Sequence, residues 1–74
     1  MIELMARETA RKVCAVIRED GKRAVCIELL TKVLVYGDSV KEYFLSEFNR
    51  AFTDDERRMI KQRLGELMGL RWKR

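Results

Sequence analysis

The fold of this chain depends on residues 13–29, VCAVIREDGKRAVCIEL, in which two short apolar runs flank an Asp-Gly pair. Asp-Gly between two β-rich runs is the strongest short-range signal for a β-hairpin turn. A glycine in the same place can equally be the left-handed cap that ends a helix. Periodicity alone cannot separate a buried strand from a buried helix in runs this short. The stretch therefore allows two folds, an all-α bundle and an α+β fold with a β-hairpin at residues 13–29.

The residues that follow favour the helical interpretation. ELLTKVL, at residues 28–34, continues a helical pattern directly out of the supposed second strand, and Leu, Lys and Glu all favour helices. The 74 residues contain no proline, the strongest breaker of a helix interior. We therefore predict an all-α fold, a small bundle of three to four helices in a single domain over residues 1–74.

The first half of the chain predicts two helices separated by Gly21. The first covers residues 2–20 and the second covers residues 22–36, which are apolar almost all the way round. Gly21 is predicted to cap the first helix in the left-handed conformation, and Gly37 to end the second. The first helix is expected to bury one stripe at spacings of three and four, formed by Ile2, Met5, Ala6, Thr9, Val13, Val16 and Ile17.

Two capping boxes mark the beginnings of two further helices. Ser39 with Glu42, and Thr53 with Glu56, both fit the S/T-x-x-E pattern, in which each side chain bonds the other residue's backbone N–H. The third helix is predicted to bury Val40, Phe44, Phe48 and Ala51, and the fourth Ile60, Leu64, Leu67 and Met68, with Gly69 at its end.

The two cysteines, Cys14 and Cys26, are too few for a disulfide framework. Both lie in apolar runs, where a free cysteine behaves as a small hydrophobe, so we predict two reduced thiols in the core. Their near-symmetry about Gly21 leaves open a contact within a hairpin, and a redox switch as a lesser alternative.

The sequence also predicts where the protein resides. The N-terminal stretch MIELMARETARK mixes acids and bases and does not resemble a secretory leader. The longest apolar runs have four or five residues, against the ~20 needed to cross a bilayer. We expect a cytoplasmic protein with no membrane attachment.

Catalytic chemistry has little support in this composition. The chain has no histidine, the commonest general base and metal ligand, and no Gly-rich phosphate loop. The one dense carboxylate cluster, Asp54, Asp55 and Glu56, is ordinary for the first turn of a helix, because acids there oppose the positive end of the helix dipole. We predict no catalytic residue, metal, cofactor or small-molecule substrate.

Charge is unevenly distributed along the chain. The net charge is +4, yet residues 57–74 hold seven basic residues and one acidic residue, whereas residues 38–56 hold two and six. Residues 70–74 read as a flexible basic tail. Basic side chains interleaved with an aromatic suit either a nucleic-acid backbone or an acidic protein surface. The predicted contact residues are Arg57, Arg58, Lys61, Arg63, Arg71, Trp72, Lys73 and Arg74.

These observations predict a binding function. An apolar fraction of 47% in so short a chain points to burial against a second copy, and the acidic third helix could pair with the basic fourth helix across a two-fold axis. We expect a small regulatory or adaptor protein, acting as a homodimer on another macromolecule. The alternative is a nucleic-acid-binding protein. Sequence-specific reading by a helix-turn-helix is less favoured, because Asp38, Glu42 and Glu47 on the third helix would repel phosphate.

Overall fold

A computed structural model describes residues 2–69 as an all-α bundle, which confirms the predicted fold class. No strand occurs among these residues, so the β-hairpin alternative for residues 13–29 is wrong. A short 3-10 helix, Gly37–Val40, joins the second and third α-helices. The four α-helices are α1 (Ile2–Cys14), α2 (Asp20–Tyr36), α3 (Lys41–Ala51) and α4 (Asp54–Met68).

The connection between α1 and α2 differs from the prediction. The first helix ends at Cys14, six residues before the predicted end at residue 20, and Gly21 lies in the first turn of α2 without a positive φ. Arg23 of α2 explains the tight loop. Its Nη1 donates to the carbonyl oxygens of Ile17 and Arg18 at 2.8 and 3.0 Å, while its other terminal nitrogen pairs with Asp20. These bonds satisfy loop carbonyls that a continued helix would have satisfied itself.

A disulfide joins Cys14 at the end of α1 to Cys26 in α2. The prediction of two reduced thiols is therefore wrong, although the expectation that both lie in the core is right, since both residues are buried. The helical hairpin brings the two Cα atoms to 5.8 Å, within the range that a disulfide spans. The crosslink closes the loop at the point where α1 leaves α2.

The core lies where α1 and α2, the most extensively packed pair, meet α3 and α4. Three aromatic rings of the third-helix region contact one another in sequence: Phe44 stacks on Phe48 with the centroids 4.9 Å apart, and Phe52 lies tilted against Phe48 with the centroids 5.6 Å apart. The predicted stripe on the third helix is thus largely confirmed. The buried cluster comprises Ala10, Val13, Cys14, Ile17, Cys26, Leu29, Leu30, Phe48, Phe52 and Ile60.

One of the two predicted capping boxes forms. Thr53 Oγ1 accepts from the Glu56 backbone N–H at 3.2 Å, and Glu56 Oε1 accepts from the Thr53 backbone N–H at 2.9 Å. The box at Ser39 is wrong, because Ser39 lies inside the 3-10 helix and its hydroxyl donates to the Tyr36 carbonyl at 2.8 Å. Gly37 begins that 3-10 helix with a φ of +62°, as expected for the residue that ends α2.

Candidate macromolecule-binding surfaces

The predicted basic residues of α4 fall on two sides of the helix. Arg57, Arg58 and Lys61 are neighbours at spacings of three and four, and so share one side. Arg63 lies about half a turn away, in a shallow cleft of about 200 Å³ lined also by Val16 and Met59. These four residues therefore do not form one continuous patch. The other predicted contact residues, Arg71, Trp72, Lys73 and Arg74, lie outside the described residues.

Arg57 serves the fold. Its side chain is only 21% exposed and pairs with Asp54. Its Nη1 also donates to the carbonyls of Asn49, at 3.2 Å, and Phe52. Asn49 lies in the last turn of α3 and Phe52 directly follows the helix. Arg57 therefore caps the C-terminal end of α3, as Arg23 binds the backbone carbonyls of the α1–α2 loop. Arg57, a predicted contact residue, therefore has its guanidinium bound within the fold.

The remaining basic side chains of α4 are more available. Arg58 pairs with Asp55 at 2.9 Å and Arg63 with Glu66 at 3.2 Å, in each case between residues three apart on one helix. Exposed pairs of this kind stabilise a protein by at most about 1 kcal/mol, so a ligand could displace them at small cost. Lys61 is exposed and makes no hydrogen bond or ion pair with the residues the structure describes.

The carboxylates that open α4 are all paired. Asp54 pairs with Arg57, and Asp55 pairs with Arg58. Glu56 accepts two hydrogen bonds from Lys22 Nζ of α2, at 3.0 and 3.2 Å. Within residues 2–69 no three carboxylates or cysteines are placed to hold a metal ion. The cluster therefore works as helix cap and interhelix link.

Glu56 gives the fold a pH dependence. The backbone N–H of Thr53 and then the Lys22 ammonium lower the pKa of its carboxyl group. Stabilisation from a lowered pKa is complete above the ordinary glutamate value of 4.5 and is lost as the pH falls through the lower folded-state pKa. We expect Glu56→Gln to lose less stability than wild type on acidification through this window, measured by urea unfolding. The matched control is Glu42→Gln, which removes an exposed carboxylate without a partner in the described residues. An unchanged acid sensitivity in Glu56→Gln would contradict this role.

Several large apolar side chains lie on the surface. Ile2, Leu4 and Met5 at the start of α1 are 69%, 67% and 70% exposed. The predicted burial of Ile2 and Met5 is therefore wrong. The first turns of α1 extend along the end of α2, where a groove of about 220 Å³ is lined by Ile2, Met5, Ala6, Thr9 and Leu34.

A second apolar groove, of about 370 Å³, runs between α2 and α3. Val25 and Tyr43 are half-exposed there, and Lys32 Nζ lies 5.4 Å from the Tyr43 ring centroid. The groove carries charges of both signs at its edges. Its lining residues are Ala24, Val25, Glu28, Leu29, Lys32, Tyr43 and Glu47. Sequence reasoning missed this surface, because it treated α2 as buried all round.

The chain matches no protein-family model, no curated protein and no solved structure. None of the helices within residues 2–69 has the length and apolar character that crossing a membrane requires.

Proposed function

We propose that this protein is a small non-enzymatic regulatory or adaptor protein, which acts as a homodimer and binds another macromolecule. The observation that carries the proposal is the exposure of Ile2, Leu4 and Met5, three large apolar side chains within two turns of α1. Removing the exposed two-thirds of such a side chain from water is worth about 1–2 kcal/mol. In a symmetric dimer each such contact occurs twice.

The expected dimer is weak and reversible. Association itself costs several kcal/mol in lost freedom of motion, which is of the same order as the gain from a few apolar side chains. The dissociation constant should therefore lie in the micromolar range or above. The groove between α2 and α3 provides a second apolar surface, suited to a macromolecular partner in addition to the second copy.

Dilution calorimetry tests the self-association. When a stock of about 500 µM is injected into buffer, dimers dissociate on dilution and the heat of dissociation is measured. This heat should decrease with successive injections, because the rising protein concentration in the calorimeter cell leaves fewer dimers to dissociate. Leu4→Ser/Met5→Ser should reduce this heat, while Leu45→Ser, which changes a half-exposed leucine on α3, should leave it unchanged. A wild-type heat that stays flat at every injection would reject the homodimer.

Nucleic-acid binding is the second candidate, and it rests on Arg58 and Lys61 on one side of α4 and on Arg63 on another side, whose ion pairs are weak or absent. A labelled DNA duplex should bind at about 50 mM salt and lose affinity steeply by about 200 mM, because each phosphate contact releases counterions. Replacing all three by glutamine should abolish the signal, whereas Lys12→Gln/Lys41→Gln should lower it only slightly. Absence of binding at low salt would end this candidate.

The cytoplasmic location is part of the same proposal, and the Cys14–Cys26 disulfide bears directly on it. Disulfides persist in oxidising compartments and are rare in the cytosol, except in hyperthermophiles. Alkylating free thiols at the moment of lysis, followed by mass spectrometry, would report the state of the pair in cells. Free thiols would support a reducing cytoplasm, and an intact disulfide in cells from a moderate temperature would argue against it.

A further inference from the structure

Three exposed residues, Leu4, Glu8 and Arg11, lie in line on the outward side of α1, and the exposed Ala15, directly after the last residue of the helix, continues the line. Leu4, Glu8, Arg11 and Ala15 follow one another at spacings of four, three and four, and all four are exposed. Residues at these spacings share one side of a helix. The opposite side holds Ala6, Ala10 and Val13, which are buried against the bundle. We call the four exposed residues the α1 outer stripe.

The two charges of this stripe lack partners. Neither Glu8 nor Arg11 makes a hydrogen bond or an ion pair with any residue between 2 and 69. The arginines of α4 differ in this respect, because each forms an ion pair with a carboxylate three residues away on its own helix, whereas Glu8 and Arg11, at the same spacing, do not pair with each other. The predicted pairing of an acidic third helix with a basic fourth helix is correspondingly less favoured than a contact through α1.

The order of residues in the stripe is self-complementary. The α1 outer stripe has an apolar residue at each end, Leu4 and Ala15, and two opposite charges between them, Glu8 and Arg11. When two copies of α1 lie antiparallel, with a two-fold axis between residues 9 and 10, Leu4 faces Ala15 of the second copy and Glu8 faces its Arg11. The axis repeats both contacts, as an isologous interface requires.

We propose that the α1 outer stripe is the surface through which two copies of this protein associate, in antiparallel register. The inference rests on the proposed homodimer and assigns its interface. Of the three exposed apolar side chains at the start of α1, this interface includes Leu4, whereas Ile2 and Met5 line the groove beside α2. A partner of one charge would satisfy only one of the two central residues, whereas a second copy satisfies both. The contact spans about three helical turns. It is therefore smaller than a standard stable interface, in agreement with a weak dimer.

Charge reversal tests the register. In the Glu8→Arg dimer, the new arginine of each copy faces Arg11 of the other copy. In the Arg11→Glu dimer, the new glutamate of each copy faces Glu8 of the other copy. Each variant should dimerise at least about tenfold more weakly than wild type. An equimolar mixture of the two variants should recover association, because every contact again joins opposite charges. Sedimentation velocity on each variant and on the mixture measures this directly.

The controls change the same charges elsewhere on the surface. Glu42→Arg on α3 and Lys61→Glu on α4 alter exposed residues without partners in the described part of the chain, and both should dimerise as wild type does. Far-UV circular dichroism verifies that every variant is folded. A monomeric wild type would reject the homodimer itself. A dimeric wild type that tolerates the α1 reversals, or variants that fail to associate when mixed, would overturn this interface alone.

Discussion

Phe48→Ala is expected to remove about 3–5 kcal/mol of folding free energy, the usual cost of truncating a buried phenylalanine. Phe48 is 3% exposed and contacts the rings of both Phe44 and Phe52. A chain of 74 residues has a total stability of only about 4–11 kcal/mol. One truncation at the centre of the aromatic stack therefore takes away a large part of what holds the bundle together.

Thermal unfolding followed by circular dichroism measures this effect. The midpoint should fall by ~12–40 °C, because 1 kcal/mol shifts a domain of this size by roughly 4–8 °C. Tyr43→Ala is the matched control, since it removes a ring from the same helix at a half-exposed position. Equal losses for the two variants would show that Phe48 is not at the centre of the core.

Reduction of the Cys14–Cys26 disulfide is expected to lower the free energy of unfolding by about 3 kcal/mol. The crosslink joins residues 12 apart, and closing a loop of this length restricts the unfolded chain by roughly that amount. Because both cysteines are buried, the reductant should act mainly on molecules that have opened, and equilibration should be slow.

Urea unfolding with and without a reductant measures the contribution. The midpoint should be lower under reducing conditions, with the helical signal of the folded state retained in the absence of urea. The control is Cys14→Ala/Cys26→Ala, whose unfolding should not respond to the reductant. If wild type unfolded at the same urea concentration in both conditions, the disulfide would contribute nothing to stability.

The second half of the bundle was predictable because local signals there are specific. The Thr53–Glu56 box encodes its own hydrogen bonds, and a glycine follows the last turn of α2 and of α4. Periodicity located Phe44 and Phe48 on the buried side of α3. Such features depend on neighbours in sequence, so they can be predicted without knowledge of tertiary contacts.

The first half was less predictable because it depends on contacts between distant residues. Arg23 reaches back to the carbonyls of Ile17 and Arg18, which ends α1 early and draws Gly21 into α2. The disulfide follows from how the two helices cross, which cysteine spacing alone does not reveal. The second half has one failure of the same kind, the capping box at Ser39, because the Ser39 hydroxyl donates to the Tyr36 carbonyl within the 3-10 helix.

The candidate surfaces were predictable only in part. Composition pointed correctly to surplus apolar surface, but the periodic stripe on α1 assigned Ile2 and Met5 to the core, although both are largely exposed. Charge counting found the basic residues of α4 without showing that the Arg57 side chain is held by the backbone carbonyls of Asn49 and Phe52. The line of Leu4, Glu8, Arg11 and Ala15 was visible in the sequence, but its meaning required knowing which side of α1 is buried.

Sedimentation equilibrium of the wild-type chain tests the self-association on which the proposed α1 interface rests. Between about 10 µM and about 500 µM, the weight-average mass should rise from near the chain mass of 8.8 kDa towards twice that value. The data should fit a monomer–dimer equilibrium without larger species. A mass that stays at 8.8 kDa over the whole range would show that the chain does not form a homodimer.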